Sequence, residues 1–291
     1  MNNHFSNINL LDEADIQVIS KEISYALHRT GCIGKIVKDD IFKLLEKECR
    51  VLYYPIESDE ICAFYKKVDD KKFIYINTAI PFEKQVFAAA HELAHVLGVA
   101  GDRSEVLQSE VVGDYTDGNE NVRETREKNE DIANRFAAEF LVQTIVLKDE
   151  LNKRNCGKDG IDLRTIIELM DLFLVPFKTI VRRIYEIGYL SPPQCEDMLR
   201  IQARGQDSEI VRLQQRLELC TRNNNRISNK KLTNFVDLSL DSYEKKLRTY
   251  EALTYLLSLA EKTPEQFGIA PEESPQLLSE EELDKLLSDE E

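Results

Sequence analysis

The sequence predicts an α+β fold that is mainly helical, with a small antiparallel sheet and a helical extension toward the C-terminal end. Two patterns predict this class. Over most of the chain, apolar residues recur three or four positions apart, which is typical of amphipathic helices. Between residues 51 and 77, short β-branched and aromatic segments interrupt that spacing and indicate strands. At 291 residues, the chain is long enough to bury a core in one or two domains.

The first elements are predicted to be two helices. Apolar residues at helical spacing run through residues 12–29, with Asp12 as the expected cap and Gly31 and Gly34 at the end. The same spacing predicts a second helix at about 38–49.

Three strands are predicted next, at 51–56, 61–65 and 72–77. The Asp69-Asp70 turn indicates that the second and third strands pair as a hairpin. This small sheet leads into a helix that is expected to start near Pro81, because proline suits the first turn of a helix.

The rest of the chain is predicted to be helical, apart from one polar segment. Residues 101–121 lack periodicity and are expected to form a long loop that could gate a site. A helix is predicted from about 122 to 142, and two apolar helices lie within 163–190 with a break at Leu174-Val175-Pro176. Further helices are expected at 196–222, 230–246 and 248–261.

These patterns suggest three regions. Pro192-Pro193 marks a boundary, so we predict a domain at 1–195 followed by a helical extension at 196–270. Residues 271–291 are strongly acidic and are predicted to be a disordered tail.

Composition excludes several classes of protein. The chain has no apolar run of 18 or more residues, and its N-terminus lacks the pattern of a signal peptide, so we predict a cytoplasmic protein without membrane partners. Its six cysteines are scattered and contain no C-x-x-C pair, which indicates reduced core residues. A net charge of -15 disfavours direct binding to nucleic acid over a broad surface.

The segment His91-Glu92-Leu93-Ala94-His95 contains the residues that indicate a chemical function. Two histidines four residues apart lie one turn apart on the same face of a helix, so both imidazoles can reach one metal ion with Glu92 beside it. This geometry is typical of zinc hydrolases. The alternative is a pair of surface histidines, but the flanking residues are apolar and small and favour a buried helix.

A catalytic zinc ion needs three protein ligands and an open position for water. The pattern that places a third histidine six residues after the second fails here, because that position is Gly101. A carboxylate from a helix packed against the motif is therefore expected. Glu130 fits best, since it shares a face with Ala133 and Ala137, and Glu127 is its close rival.

The motif from His91 to His95, followed by Glu130-x-x-Ala133-Asn134, resembles the ImmA/IrrE metallopeptidases, a zincin-like family. The resemblance covers residues 10–195 and implies that Glu130 is the third ligand. The sequence departs from the family at Val142-Gln143, where members often carry Met-Pro, and in the long 101–121 segment.

The resemblance implies a zinc endopeptidase in which Zn²⁺ is held by His91, His95 and Glu130. Glu92 is then the general base that takes the proton of the attacking water. The implied substrate is a protein, namely a DNA-binding helix-turn-helix repressor, often from a mobile element or a stress regulon. We expect a sheet edge, such as the strand ending at Asn77, to hold the peptide by strand addition.

Two other functions remain open. The helices within 163–190 could form a helix-turn-helix in which Lys178, Arg182 and Arg183 face DNA phosphates. Alternatively, the chain is a non-catalytic interaction protein that docks a partner through residues 196–291. Glu92 argues against the second function, because a purely structural metal site has no need of a base.

Overall fold

The computed structural model describes residues 11–58, 60–68, 71–101, 120–158, 160–202, 205, 208–219, 231–232 and 235–270. The chain divides into two compact units, Met1–Lys231 and Leu232–Glu291. Within the described ranges the fold is α+β and mainly helical with one small sheet, as the sequence predicts. No helix in these ranges is both long and apolar enough to cross a bilayer.

The first unit opens with two predicted helices, α1 (Glu13–Thr30) and α2 (Asp40–Glu48). Asp12 caps α1 through a reciprocal pair of bonds. The Asp15 N–H donates to Asp12 Oδ1 at 2.9 Å, and the Asp12 N–H donates to Asp15 Oδ2 at 3.1 Å. Gly31 ends the helix at a φ of 70°, a left-handed conformation that glycine adopts without a steric penalty.

Three strands follow, β1 (Arg50–Tyr54), β2 (Ala63–Val68) and β3 (Lys71–Asn77). The predicted hairpin is confirmed, because β2 and β3 pair antiparallel. However, β1 pairs parallel with β3, so the sheet is mixed and the prediction of a purely antiparallel sheet needs correction. Residue periodicity predicts strands but carries no information about their direction. The Asp69-Asp70 turn itself lies outside the described residues.

The strand order also corrects the expectation for the sheet edge. The order is β2-β3-β1-β4, where β4 (Lys231–Leu232) is a two-residue strand in which the first unit ends. The strand ending at Asn77 is therefore in the interior of the sheet, and β2 is an edge among the described strands. The side-chain amide of Asn77 instead forms hydrogen bonds that hold the connection between β1 and β2. Its Nδ2 donates to the carbonyl oxygens of Ile56, Ser58 and Ile61 at 2.8–3.0 Å.

The motif helix α3 (Phe82–Val96) packs on the sheet and against α4 (Glu120–Leu141). Alanines line the contact between the two helices and let their backbones approach closely. Ala90, Ala94, Ala133 and Ala137 are all fully buried. At the far end of α3, Lys72 Nζ donates to the carbonyl oxygen of Val96 at 2.6 Å, which places a cation at the negative end of the helix.

Five more helices complete the first unit: α5 (Thr144–Lys153), α6 (Leu163–Phe173), α7 (Phe177–Glu186), α8 (Pro192–Arg200) and α9 (Glu209–Arg216). The predicted break between α6 and α7 is present, with Leu174 in a left-handed conformation at a φ of 57°. Cys195 of α8 and Ile210 of α9 are buried in the main core. The compact unit therefore extends past the predicted boundary at 195 and ends at Lys231.

The second unit contains α10 (Phe235–Glu244), α11 (Tyr250–Leu259) and a 3₁₀ turn (Pro264–Phe267). Leu253 and Leu257 of α11 are its fully buried apolar residues in the described range. The predicted acidic tail, 271–291, and most of the predicted gating loop, 102–119, lie outside the described residues.

Gln143 explains one departure from the family pattern. Its Nε2 donates to the carbonyl oxygens of Cys32 at 2.8 Å and Lys35 at 2.5 Å, while its Oε1 accepts from the N–H of Gly34 at 3.0 Å. The side chain therefore bonds three backbone groups of the turn between α1 and α2. Proline at this position would leave those groups without these bonds.

Candidate metal centre

The two motif histidines lie one turn apart on α3, as the spacing predicts. Their ring centroids are 5.3 Å apart. The side chain of His95 is fully buried, whereas that of His91 is 13% exposed. The pair is therefore a largely enclosed site, which argues against the alternative of two surface histidines.

Glu130 of α4 lies beside both rings. Its Oε2 is 3.3 Å from His91 Nε2, and its Oε1 is 3.8 Å from His95 Nε2. One ligand atom from each of the three residues falls within 4.8 Å of the others, and among the described residues this is the one group of three or more that could hold a metal ion. Glu127, one turn earlier on α4, is exposed and does not belong to that group.

The donor set fits zinc. Two imidazole nitrogens and one carboxylate oxygen are the protein ligands of many catalytic zinc sites, which keep a fourth position for water. Magnesium and calcium prefer sites made of oxygen ligands alone, so two histidines disfavour them.

Two further contacts orient the imidazoles, and neither is among the residues predicted from the sequence. Asn134 Oδ1 lies 3.1 Å from His91 Nδ1, and the carbonyl oxygen of Gly101 lies 3.5 Å from His95 Nδ1. An oxygen acceptor at Nδ1 favours the tautomer whose Nε2 carries a free lone pair, which is the form that binds a metal. The spacing could have indicated Asn134, because it lies one helical turn after Glu130 on the same face.

Asn134→Ala is expected to lower the affinity for zinc by about 10- to 100-fold, since it removes the acceptor that orients His91. Asn134→Asp is the matched control, because it keeps an oxygen acceptor at this position. Competition with a chromophoric chelator measures both affinities. Equal affinities in Asn134→Ala and the native protein would show that this contact does not orient the ligand.

Gly101 occupies the position where a third histidine would complete the extended motif. Its φ is +72°, and a Cβ added there would come within 2.7 Å of Asn129 Nδ2. Any larger side chain would therefore strain the backbone and displace Asn129, the neighbour of Glu130. The local backbone therefore explains why this position carries a glycine.

Gly101→Ala is expected to destabilise the fold by about 2 kcal/mol and to weaken zinc binding, because Asn129 must move. Gly98→Ala is the matched control, since Gly98 also has a positive φ, 76°, but has no atom within 4 Å of an added Cβ. That variant should lose only about 1 kcal/mol and keep its zinc affinity. Thermal unfolding and zinc titration of both variants separate backbone strain from displacement of Asn129.

Glu92 follows His91 directly on α3 and is 3% exposed. Its carboxyl group is therefore buried on the motif helix and lies outside the three-residue group. Its role as general base stays a prediction.

One cation of the proposed helix-turn-helix is unsuited to contact DNA. Arg183 is 1% exposed, and its guanidinium donates to the carbonyl oxygen of Val142 at 3.1 Å and to Thr144 Oγ1 at 2.8 Å. It also forms an ion pair with Glu186. These bonds tie α7 to the junction of α4 and α5, so Arg183 serves packing within the unit rather than phosphate binding.

Comparison with known proteins finds a family to which part of the chain is similar. Residues 46–185 match the model of the Peptidase_M78 family, described as the IrrE N-terminal-like domain. Among solved structures, a Mycobacterium tuberculosis transcriptional regulator is similar at 19% identity and a TM-score of 0.37, over 60% of this chain. The match spans about half of that regulator, 48% of its length. A search of curated proteins finds no significant match.

Proposed function

Because residues 46–185 are a domain of the Peptidase_M78 family, we propose that this protein is a zinc-dependent endopeptidase. The observation that carries the proposal is the approach of His91, His95 and Glu130 to within 4.8 Å, with the buried Glu92 on the same helix. A structural zinc site uses four protein ligands, whereas three ligands leave a position for water and substrate.

Each residue of the site has its own role in the proposed reaction. His91, His95 and Glu130 would hold a zinc ion, which supplies a Lewis acid that polarises the scissile carbonyl and lowers the pKa of water to about 7. Glu92 accepts the proton of the attacking water and delivers it to the nitrogen of the leaving amine. Asn134 and Gly101 keep the two imidazoles in their ligating orientation.

We propose a protein substrate, and more narrowly a helix-turn-helix repressor whose cleavage relieves repression. This narrower proposal rests on the resemblance to the ImmA/IrrE peptidases. An edge strand is suited to hold an extended peptide through backbone hydrogen bonds. In this sheet we assign peptide binding to β2, because the strand ending at Asn77 is in the interior.

The proposal is tested by incubating the purified full chain with the product of a neighbouring repressor gene, with and without a chelator. Mass spectrometry should identify one internal cleavage that depends on zinc. A repressor that stays intact while forming a stable complex with the chain would instead favour the non-catalytic interaction protein.

A further inference from the structure

The edge strand β2 packs against α3, the helix that carries the two histidines. Its neighbour within the sheet is β3, and α3 packs directly against it. Lys67 of β2 pairs with Lys72 of β3, whose Nζ bonds the carbonyl oxygen of Val96, the residue after His95. The second half of β2 is therefore level with the end of α3 that carries the histidines.

The side chains of β2 alternate between core and solvent. Tyr65 is 1% exposed and faces the core, whereas Phe64, Lys66 and Val68 are exposed on the opposite face. The ring of Phe64 stacks on Tyr75 at a centroid distance of 4.8 Å, so it is held in place before any ligand arrives. On the outer face of the edge strand, Lys66 therefore lies between Phe64 and Val68, two residues from each.

The charge of this sheet is opposite to that of the whole chain. The protein contains 53 acidic and 38 basic residues, yet β1, β2 and β3 contain no Asp or Glu. On the outer face, Lys66 pairs with Phe73 across the hairpin, and Phe73 in turn pairs with Arg50, whose guanidinium lies 5.8 Å from the centre of its ring. A second strand laid along β2 would therefore lie next to the positive charge of Lys66.

We propose that β2, the strand to which substrate docking is assigned above, selects an extended segment of the pattern apolar-x-acidic-x-apolar. The acidic side chain lies opposite Lys66, and the apolar side chains face Phe64 and Val68. Residues at two-residue spacing fall on one face of an added strand, which sets this pattern. The inference rests on the proposed function, because it names the substrate that the peptidase would accept.

The test measures binding rather than cleavage. The zinc-loaded full chain carrying Glu92→Gln is titrated with fluorescein-labelled nine-residue peptides whose central segment is Ile-Ser-Glu-Ser-Ile or Ile-Ser-Lys-Ser-Ile. Fluorescence anisotropy should show the Glu peptide binding roughly tenfold more tightly, since opposite and like charges across a strand pair act in opposite directions. Lys66→Glu should reverse the preference. Lys178→Glu, which changes an exposed lysine of α7, should leave it unchanged.

Equal binding of the two peptides, or a preference that Lys66→Glu does not alter, would overturn the inference. Tighter binding of a labelled oligothymidylate through Lys66 would also overturn it, in favour of a nucleic-acid strand. A preference that reverses with Lys66→Glu, in a protein whose native form cleaves nothing, would support the docking strand and refute the peptidase. Thermal unfolding of the Lys66→Glu protein should match the native protein, because the side chain is exposed.

Discussion

Glu92→Gln is expected to keep one zinc ion per chain and to lower the rate of peptide cleavage by about 10²- to 10⁴-fold. Glutamine has nearly the same shape as glutamate, so the packing of α3 around this buried position should survive. It cannot accept a proton from water at neutral pH, and Glu92 is not among the three residues that would bind the metal. Metal analysis by mass spectrometry and initial rates of cleavage measure the two effects separately.

The control for this variant is Glu127→Gln, which makes the same chemical change at an exposed acid of α4. Its cleavage rate and zinc content should both equal those of the native protein. If Glu92→Gln cleaved at the native rate, the base would have to be another group, and the proposed role of Glu92 would be wrong.

Glu130→Ala and His95→Ala are each expected to lose stoichiometric zinc and all measurable cleavage. Each substitution removes one of the three candidate ligand atoms, and two protein ligands do not make a catalytic zinc site. Zinc should also stop stabilising these variants against heat. For the native protein, zinc at 100 times its dissociation constant should stabilise the fold by about 2.7 kcal/mol.

Glu127→Ala distinguishes the two acids that the sequence offered as third ligand. We expect this variant to bind zinc normally, because Glu127 is exposed and outside the group formed with the histidines. Stoichiometric zinc in Glu130→Ala, together with loss of zinc in Glu127→Ala, would reverse the assignment.

The sequence by itself determined the features that depend on short-range spacing. Residues four positions apart lie on one face of a helix. Once the segment is identified as helical, the two side chains of His91 and His95 are therefore expected to lie side by side. Helix ends at Asp12 and Gly31 follow from local backbone chemistry in the same way. Glu130 could be ranked above Glu127 because small residues on its face indicated the contact with α3.

Only the tertiary structure decided the features that depend on residues far apart in the chain. Strand direction and order made β2 an edge and placed β3 in the interior, and residue alternation contains neither. The carbonyl of Gly101 and the side chain of Asn134 become partners of the histidines only when α3 and α4 pack together. The extent of the first unit likewise depends on Ile210 reaching the core. Local spacing predicted the residues that could hold a metal ion, whereas long-range packing specified what surrounds and orients them.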